Sequence, residues 1–132
     1  MDLITVTGDA ASGVTLRVRG HELRLDMAPR DGGQDLGPSP AEVLAGSLGA
    51  CVVMIVEQYC RRHGYTDGAV EASLTVEMAD DPKRVGGIVV DLEVPRDVPP
   101  ERIEAIRRLA EFCPVHQTLK NPPKLDLEVI VR

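Results

Sequence analysis

Residues 39–63, SPAEVLAGSLGACVVMIVEQYCRRH, predict one long helix around which the rest of the chain is arranged. Ser39 is a favoured N-cap residue, Pro40 suits the first helical position, and Glu42 can complete a capping box with Ser39. Arginines in the last turn, with Gly64 after them, predict where the helix ends. Since no wide polar stripe runs between these ends, we expect the helix to be buried all round. Its apolar run is too short and too often interrupted by charge to predict a membrane span.

The length and composition of the chain favour one small domain. With 132 residues, we expect a single domain over residues 1–132. The net charge of -6 argues against a nucleic-acid or anionic-membrane partner, because no basic stripe is present to displace counterions. The first residues do not resemble a secretory signal, and three cysteines in such a chain indicate functional thiols more than a disulfide framework. We therefore expect a cytoplasmic location.

The residues before the helix predict strands and then a loop. Residues 3–7, 14–19 and 22–27 are rich in alternating apolar and polar side chains, which predicts a three-stranded antiparallel meander with one wet face. Residues 28–38 carry paired glycines and flanking prolines, which exclude regular structure. A loop of this length directly before a buried helix is more typical of a functional segment than of a simple connection, and both interpretations stay open.

The residues after the helix predict a hairpin, two helices and a last strand. Alternation over residues 70–78 and 88–94 predicts paired strands, and the 3.6-residue period after Pro100 predicts an amphipathic helix. Pro114 interrupts that helix at Cys113 and starts a short one over residues 115–120. Residues 125–131 alternate again. The predicted order is βββ-α-ββ-αα-β in a single α+β unit.

Two cysteines carry the predicted chemistry. Cys113 directly precedes Pro114, so it would cap a short helix whose N–H groups lower the pKa of its thiol toward neutrality. Cys51 lies in the middle of the long helix, where the helix dipole contributes little, and its thiolate needs a cation from elsewhere. Glu42 could hold such a cation in place by a bidentate pair. The candidate cations are Arg17, Arg19, Arg24 and Arg30.

Two motifs carry a family resemblance. The segment GPSPAEVLAGSLGAC, ending at Cys51, and the later segment CPVHQTL, beginning at Cys113, resemble the two cysteine motifs of the OsmC/Ohr family of thiol-dependent peroxidases. The resemblance implies an OsmC-like fold in an intertwined homodimer, with the long helices packed between antiparallel sheets. It also implies that a hydroperoxide oxidises Cys51 to a sulfenic acid and that Cys113 resolves it as a disulfide. An external dithiol, commonly lipoyl-linked, would restore the thiols without a bound cofactor or metal.

The family's activating arginine and glutamate do not transfer directly. The turn over residues 7–13 lacks the arginine that organic hydroperoxide resistance proteins carry there, and their glutamate aligns with Ala41, one residue before Glu42. We assign the roles to Arg19 and Glu42. The chain is closer to the broad OsmC-like branch, whose substrates are more varied.

Simpler interpretations remain beside these assignments. The chain could instead be a non-catalytic OsmC-like protein that binds a small lipid-like or aromatic ligand. His116 could join the two thiols in a zinc site, although no CxxC pair is present. Cys60 is expected to be a core or surface thiol. In the simpler interpretation Arg17, Arg19 and Arg24 form only a solvated sheet face, and Glu42 is only a helix cap.

Overall fold

The computed structural model describes residues 1–9 and 13–131, and its fold class is α+β as predicted. Two compact units are present, one formed by Met1–Gly46 with Val76–Ile88 and the other by Ser47–Thr75 with Val89–Arg132. The elements are β1 (Thr5–Asp9), β2 (Gly13–Val18), β3 (His21–Leu25), α1 (Pro40–Arg62), β4 (Glu71–Ala79), β5 (Arg84–Glu93), α2 (Ile103–Glu111) and α3 (Pro114–Lys120). Single turns of 3-10 helix lie at Pro29–Asp31, within the segment expected to lack regular structure, and at Pro100–Arg102.

The first three strands form the predicted antiparallel sheet, in the order β1-β2-β3. Val18 pairs with His21 across a two-residue turn. Arg19 and Gly20 in that turn both have positive φ, at 47° and 79°, as the turns that match strand twist require. The expected single wet face is not observed, since β1 is exposed along its whole length and only Leu25 of β3 is buried. The apolar face of this sheet is therefore largely uncovered in one chain.

Strands β4 and β5 form the second sheet, a two-stranded hairpin. β5 begins at Arg84, earlier than the predicted residue 88. The guanidinium of Arg84 donates hydrogen bonds to the carbonyl oxygens of Asp80 and Pro82, at 3.0 and 2.9 Å, and so closes the turn. A side chain that spans the turn shortens it and allows the strand to start sooner.

Both ends of α1 have the predicted caps. The Ser39 N–H donates to the Glu42 carboxylate at 2.9 Å, and the Glu42 N–H donates to the Ser39 hydroxyl at 3.2 Å, which is a reciprocal capping box. At the other end Gly64 has a φ of 75°, and its N–H donates to the carbonyl of Arg61. The Tyr65 N–H then donates to the carbonyl of Cys60, which completes a Schellman motif. These local signals fix the length of α1.

The burial of α1 differs from the prediction. The buried residues recur every three or four positions and so define one face of the helix: Ala45, Leu48, Gly49, Val52, Val56 and Cys60. An ideal Cβ on Gly49 would lie 2.5 Å from a methyl carbon of Leu74, so the missing side chain makes room for β4. The opposite face is not covered, and Met54 is 70% exposed. The prediction of a helix buried all round is wrong for one chain, because a single chain covers only one side of α1.

By length and composition alone, α1 is also able to cross a membrane. Among the described residues it is the one helix that passes this test, with 23 residues and a mean hydropathy of 1.6 over its most apolar window. The expectation that its apolar run is too short is therefore wrong on these two measures. The core helix of a globular fold passes the same test, and a third of that window is buried within the chain. Length and hydropathy thus give only weak support for a membrane span.

The last predicted strand is not formed. Residues 122–131 are in no helix or strand, and neither sheet of the described chain pairs with them. Leu125, Leu127 and Val129 are almost fully exposed. The alternation of residues 125–131 suits a strand, but a strand needs a neighbour to accept its backbone hydrogen bonds. The predicted order is therefore confirmed through α3, and the final strand is not formed within one chain.

Candidate functional site

Cys51 lies in the middle of α1, as the sequence predicts, and its side chain is partly exposed. It belongs to the unit that also contains α2 and α3. Helical hydrogen bonds on both sides of Cys51 hold its backbone in place. Partial exposure on a rigid element gives a thiol that a small molecule can reach.

Cys113 forms the N-cap of α3. Its backbone is extended, with φ -61° and ψ 138°, because the residue before a proline is disfavoured in the helical region. The His116 N–H donates to the Cys113 sulfur at 3.1 Å. The residue is fully buried, whereas its neighbour Phe112 is 74% exposed. The predicted cap is confirmed, with sulfur in the place that serine or aspartate oxygen more often takes.

The two cysteines meet within the same unit although they are distant in the sequence. The Cys51 side chain acts on the pKa of Cys113, and both thiols are reduced. Burial raises the pKa of the Cys113 thiol, the His116 N–H acts in the opposite direction, and hydrogen bonding with Cys51 raises it further. The expected lowering of this pKa is therefore wrong, since loss of hydration outweighs the helix cap. Cys113 therefore keeps its proton at neutral pH.

Cys60 has different surroundings, although it lies on the same helix. It is 2% exposed and borders a cavity of about 320 Å³ that is also lined by Glu57 and Tyr65. Burial, and then the negative charge of Asp97, raise the pKa of its thiol. Asp97 is fixed there because its carboxylate accepts N–H bonds from Thr66 and Asp67, each at 3.1 Å. Cys60 is thus a core thiol, one of the two alternatives that the sequence left open.

Glu42 lies in the other unit, and its carboxylate is bonded to Ser39. The N–H and hydroxyl of Ser39 lower the pKa of Glu42, and the positive charge of Arg30 lowers it as well. The simpler interpretation, a helix-capping carboxylate, is therefore supported. The role toward Cys51 stays a prediction.

Arg19 lies at the turn between β2 and β3, in the same unit as Glu42. Its guanidinium is exposed and contacts the carboxylate of Asp2 at 4.0 Å. Arg17 is paired with Glu22 at 2.8 Å on the sheet surface, in line with a solvated face. Part of the turn in which the family arginine would stand, residues 10–12, lies outside the described residues. The assignment of Arg19 as the activating cation stays a prediction.

Asp26 is a residue whose importance the sequence does not reveal. Its carboxylate accepts N–H bonds from Met27, Gln34 and Leu36, at 2.8, 3.1 and 3.1 Å. Those bonds fold the glycine-rich loop onto the end of β3 and lower the pKa of Asp26, the bond from Leu36 most of all. The loop borders a cavity of about 520 Å³ within this unit. In sequence, Asp26 looks like one more polar position of an alternating strand.

The described residues do not support the zinc interpretation. No group of three or more histidine, cysteine, aspartate or glutamate side chains that could hold a metal ion is present within residues 1–9 and 13–131. His116 contributes its backbone N–H to the Cys113 sulfur. Two thiols and one backbone donor make a redox pair chemically more suitable than a metal centre.

Comparison with solved structures shows the same fold in several proteins, each similar to this chain over most of its length. A protein from Psychrobacter arcticus 273-4, classed as an osmotic stress induced and detoxification response protein, has a TM-score of 0.81 at 22% identity, with 89% of this chain and 88% of that chain covered. An OsmC-like protein from Mycoplasma pneumoniae has a TM-score of 0.76 at 20% identity, with 92% and 89% covered. An organic hydroperoxide resistance protein, OsmC, from Legionella pneumophila has a TM-score of 0.66 at 19% identity, with 91% and 89% covered.

Sequence comparison gives the family. No curated protein matches the chain. The family model of OsmC-like proteins matches residues 32–128, a range that begins in the glycine-rich loop and includes Cys51 and Cys113. Since that range is well over half of the chain, this protein belongs to the OsmC-like family.

Proposed function

We propose that this protein is a thiol-dependent peroxidase that reduces hydroperoxides through Cys51 and Cys113. The observation that supports it best is the pairing, within one unit, of a partly exposed thiol with a fully buried one whose pKa it raises. The exposed partner is the one a substrate can reach, which gives Cys51 the role of nucleophile. The buried partner is protected from further oxidation, which suits the resolving role of Cys113.

In the first step the Cys51 thiolate attacks the outer peroxide oxygen. The oxygen–oxygen bond breaks, Cys51 becomes a sulfenic acid, and the alkoxide takes a proton and leaves as an alcohol. In the second step the Cys113 sulfur attacks the Cys51 sulfur, water leaves, and a disulfide forms. A dithiol such as a lipoyl-linked one then returns both cysteines to thiols and becomes a cyclic disulfide itself.

A nearby cation would stabilise the thiolate and the leaving alkoxide. We assign this role to an arginine held by Glu42, with Arg19 as the arginine predicted from the sequence. Arg30 is a second candidate, because its charge acts on the Glu42 carboxylate. If one of them activates Cys51, its replacement by alanine will slow peroxide reduction with little loss of stability, since both side chains are exposed. Wild-type rates in both variants would remove Arg19 and Arg30 from the proposal.

The uncovered apolar surfaces support a homodimer. One face of α1, including Met54, is exposed, and so are the apolar side chains at 125, 127 and 129. Exposed apolar area of this kind is typical of association surfaces. We infer that a second copy covers α1 and accepts residues 125–131 as an added strand. Sedimentation at micromolar concentration should give a dimer, and truncation after residue 124 should yield monomer or aggregate.

Oxidation with a defined dose of peroxide tests the reaction. One equivalent of cumene hydroperoxide should remove two hydrogens from the intact mass, and the Cys113→Ser variant should instead trap a sulfenic acid on Cys51. Cys60→Ala is the matched control, because it removes a thiol from the same helix and should keep the disulfide. An unchanged mass in the wild type and in Cys113→Ser would refute the peroxidase proposal.

A second candidate function is the binding of a small apolar ligand without catalysis. The cavity of about 520 Å³, lined in part by Val14, Leu25 and Met27, favours it, because it lies in the unit that holds neither Cys51 nor Cys113. Native mass spectrometry of the purified protein would detect a bound molecule. A retained ligand, combined with thiols that react with peroxide no faster than free cysteine, would favour binding over catalysis. For either function we propose a cytoplasmic location, where thiols stay reduced.

A further inference from the structure

Helix α3 depends on the Cys113 sulfur for its first turn. The sulfur accepts the N–H of His116 at 3.1 Å, and it is the side-chain acceptor at the N-cap. Without it, an N–H group at the start of the helix would lose its partner. The side-chain cap at this end of α3 is therefore an atom that also takes part in the proposed redox reaction.

Little else inside the chain stabilises α3. The helix has seven residues, Pro114–Lys120, and none of them is buried. Helices this short are marginal in water unless packing supports them. The Gln117 side chain donates to the carbonyl of Glu111 at 2.7 Å, and the Thr118 hydroxyl donates to the carbonyl of Pro114 at 2.8 Å. With so few contacts, loss of the cap should have a measurable effect on the order of α3.

Formation of the disulfide brings the sulfurs of Cys51 and Cys113 together. A disulfide bond is about 2.05 Å long, far shorter than a non-bonded contact between two sulfurs. Cys51 is held in the middle of a 23-residue helix, whereas Cys113 lies between two short helices. We therefore expect the Cys113 sulfur to make most of this movement and to leave the His116 N–H.

We propose that α3 is a redox-sensitive helix, capped while Cys113 is a thiol and uncapped when Cys113 is joined to Cys51. This rests on the disulfide of the proposed function. Two thiols give up two electrons and two protons, and the oxidant, a hydroperoxide, becomes an alcohol and water. The order of residues 114–120 then reports the oxidation state, so a reductant or partner can distinguish the oxidised protein by this surface.

Hydrogen exchange of the peptide covering residues 114–120 tests the proposal. Diamide, which gains two hydrogens as it oxidises a thiol pair, forms the disulfide without any peroxidase activity. The oxidised wild type should exchange these amides roughly fivefold faster than the reduced protein, the effect of losing one helix cap. Cys51→Ser treated with diamide is the matched control and should keep the slow exchange.

Two variants test the cap without oxidation. Cys113→Ser keeps an acceptor at the N-cap and should exchange as slowly as the reduced wild type, or more slowly. Cys113→Ala removes the acceptor and should exchange at the faster rate of the oxidised protein. Equal exchange in these two variants, equal exchange before and after diamide, or no disulfide under diamide would each overturn the proposal. A disulfide that forms with diamide but not with hydroperoxide would refute the peroxidase function and leave the redox-sensitive helix standing.

Discussion

Cys51 and Cys60 lie nine residues apart on one helix, yet their surroundings give them opposite chemistry. Cys51 is partly exposed and acts on the pKa of a second thiol, that of Cys113. Cys60 is buried, and its charged neighbour is the carboxylate of Asp97, which opposes ionisation. Both are cysteines on the same helix, but they lie on different faces of it. The comparison shows that the reactivity of a cysteine depends on the residues that the fold brings to it, more than on the element that carries it.

The largest expected difference between variants of the two cysteines is in the rate of peroxide consumption. Cys51→Ser should lower the rate roughly a hundredfold or more, because it removes the proposed nucleophile. Cys60→Ala should stay within about twofold of the wild type, since its thiol is outside the proposed reaction. Initial rates with an organic hydroperoxide and a dithiol would measure both. A comparable loss in the two variants would mean that the contrast between the cysteines is not functional.

The alkylation rates of the three thiols in the native protein should differ, and measuring them needs no substrate. Iodoacetamide at pH 7.5 should label Cys51 roughly tenfold faster than Cys113 or Cys60, because both buried thiols are shielded and hold their protons. Peptide mass spectrometry over a time course gives the three rates. After unfolding in guanidinium chloride the rates should become similar. Faster labelling of Cys60 than of Cys51 in the native state would contradict the assignment of the reactive thiol.

Loss of the capping box at the start of α1 should lower the unfolding free energy without changing the reactivity of the thiols. Ser39→Ala removes the hydroxyl that accepts the Glu42 N–H, which should cost about 1 kcal/mol of unfolding free energy. Ser39→Thr keeps the hydroxyl and serves as its control. Chemical denaturation gives the free energies, and alkylation rates check the cysteines. If Ser39→Ala changed the relative labelling of Cys51 and Cys60, the helix end and the thiol environments would be coupled.

The smallest expected effect is on the pH dependence of the unfolding free energy that arises from the Cys60 thiol. Its folded-state pKa is raised above the ordinary 9.0, so the unfolded thiol loses its proton first as pH rises. The contribution of the Cys60 thiol to the free energy of unfolding is complete below the pKa of the unfolded state. It decreases as the pH rises through the pKa of the folded state. Asp97→Asn removes the negative charge that contributes to the shift, and should therefore make the fall between pH 8 and 10 shallower.

Thermal midpoints of the wild type, Asp97→Asn and Cys60→Ala over that pH range would measure the effect. Cys60→Ala should also reduce the slope, because it removes the titrating group. Identical slopes in all three proteins would show that Asp97 does not influence Cys60.

Much of the local structure around the cysteines could be predicted because its signals are local. Both caps of α1 and the N-cap at Cys113 follow from neighbouring residues, whereas the joint role of Cys51 and Cys113 stays a prediction from the family pattern. The pKa of Cys113 could not be predicted, because the helix cap is visible in sequence and the burial that outweighs it is not. Asp26 was missed for a similar reason, since its three N–H partners come from a loop that folds back only in the tertiary structure.

The sequence by itself determined the element order through α3 and the bounds of α1, since caps, prolines and apolar period act over a few residues. Only the tertiary structure decided which faces are covered. It left one side of α1 and residues 125–131 exposed, because burial and strand pairing need partners that local sequence cannot supply. It also decided that the Cys51 and Cys113 thiols meet while Cys60 lies beside a carboxylate, because contacts between distant residues depend on how the whole chain packs.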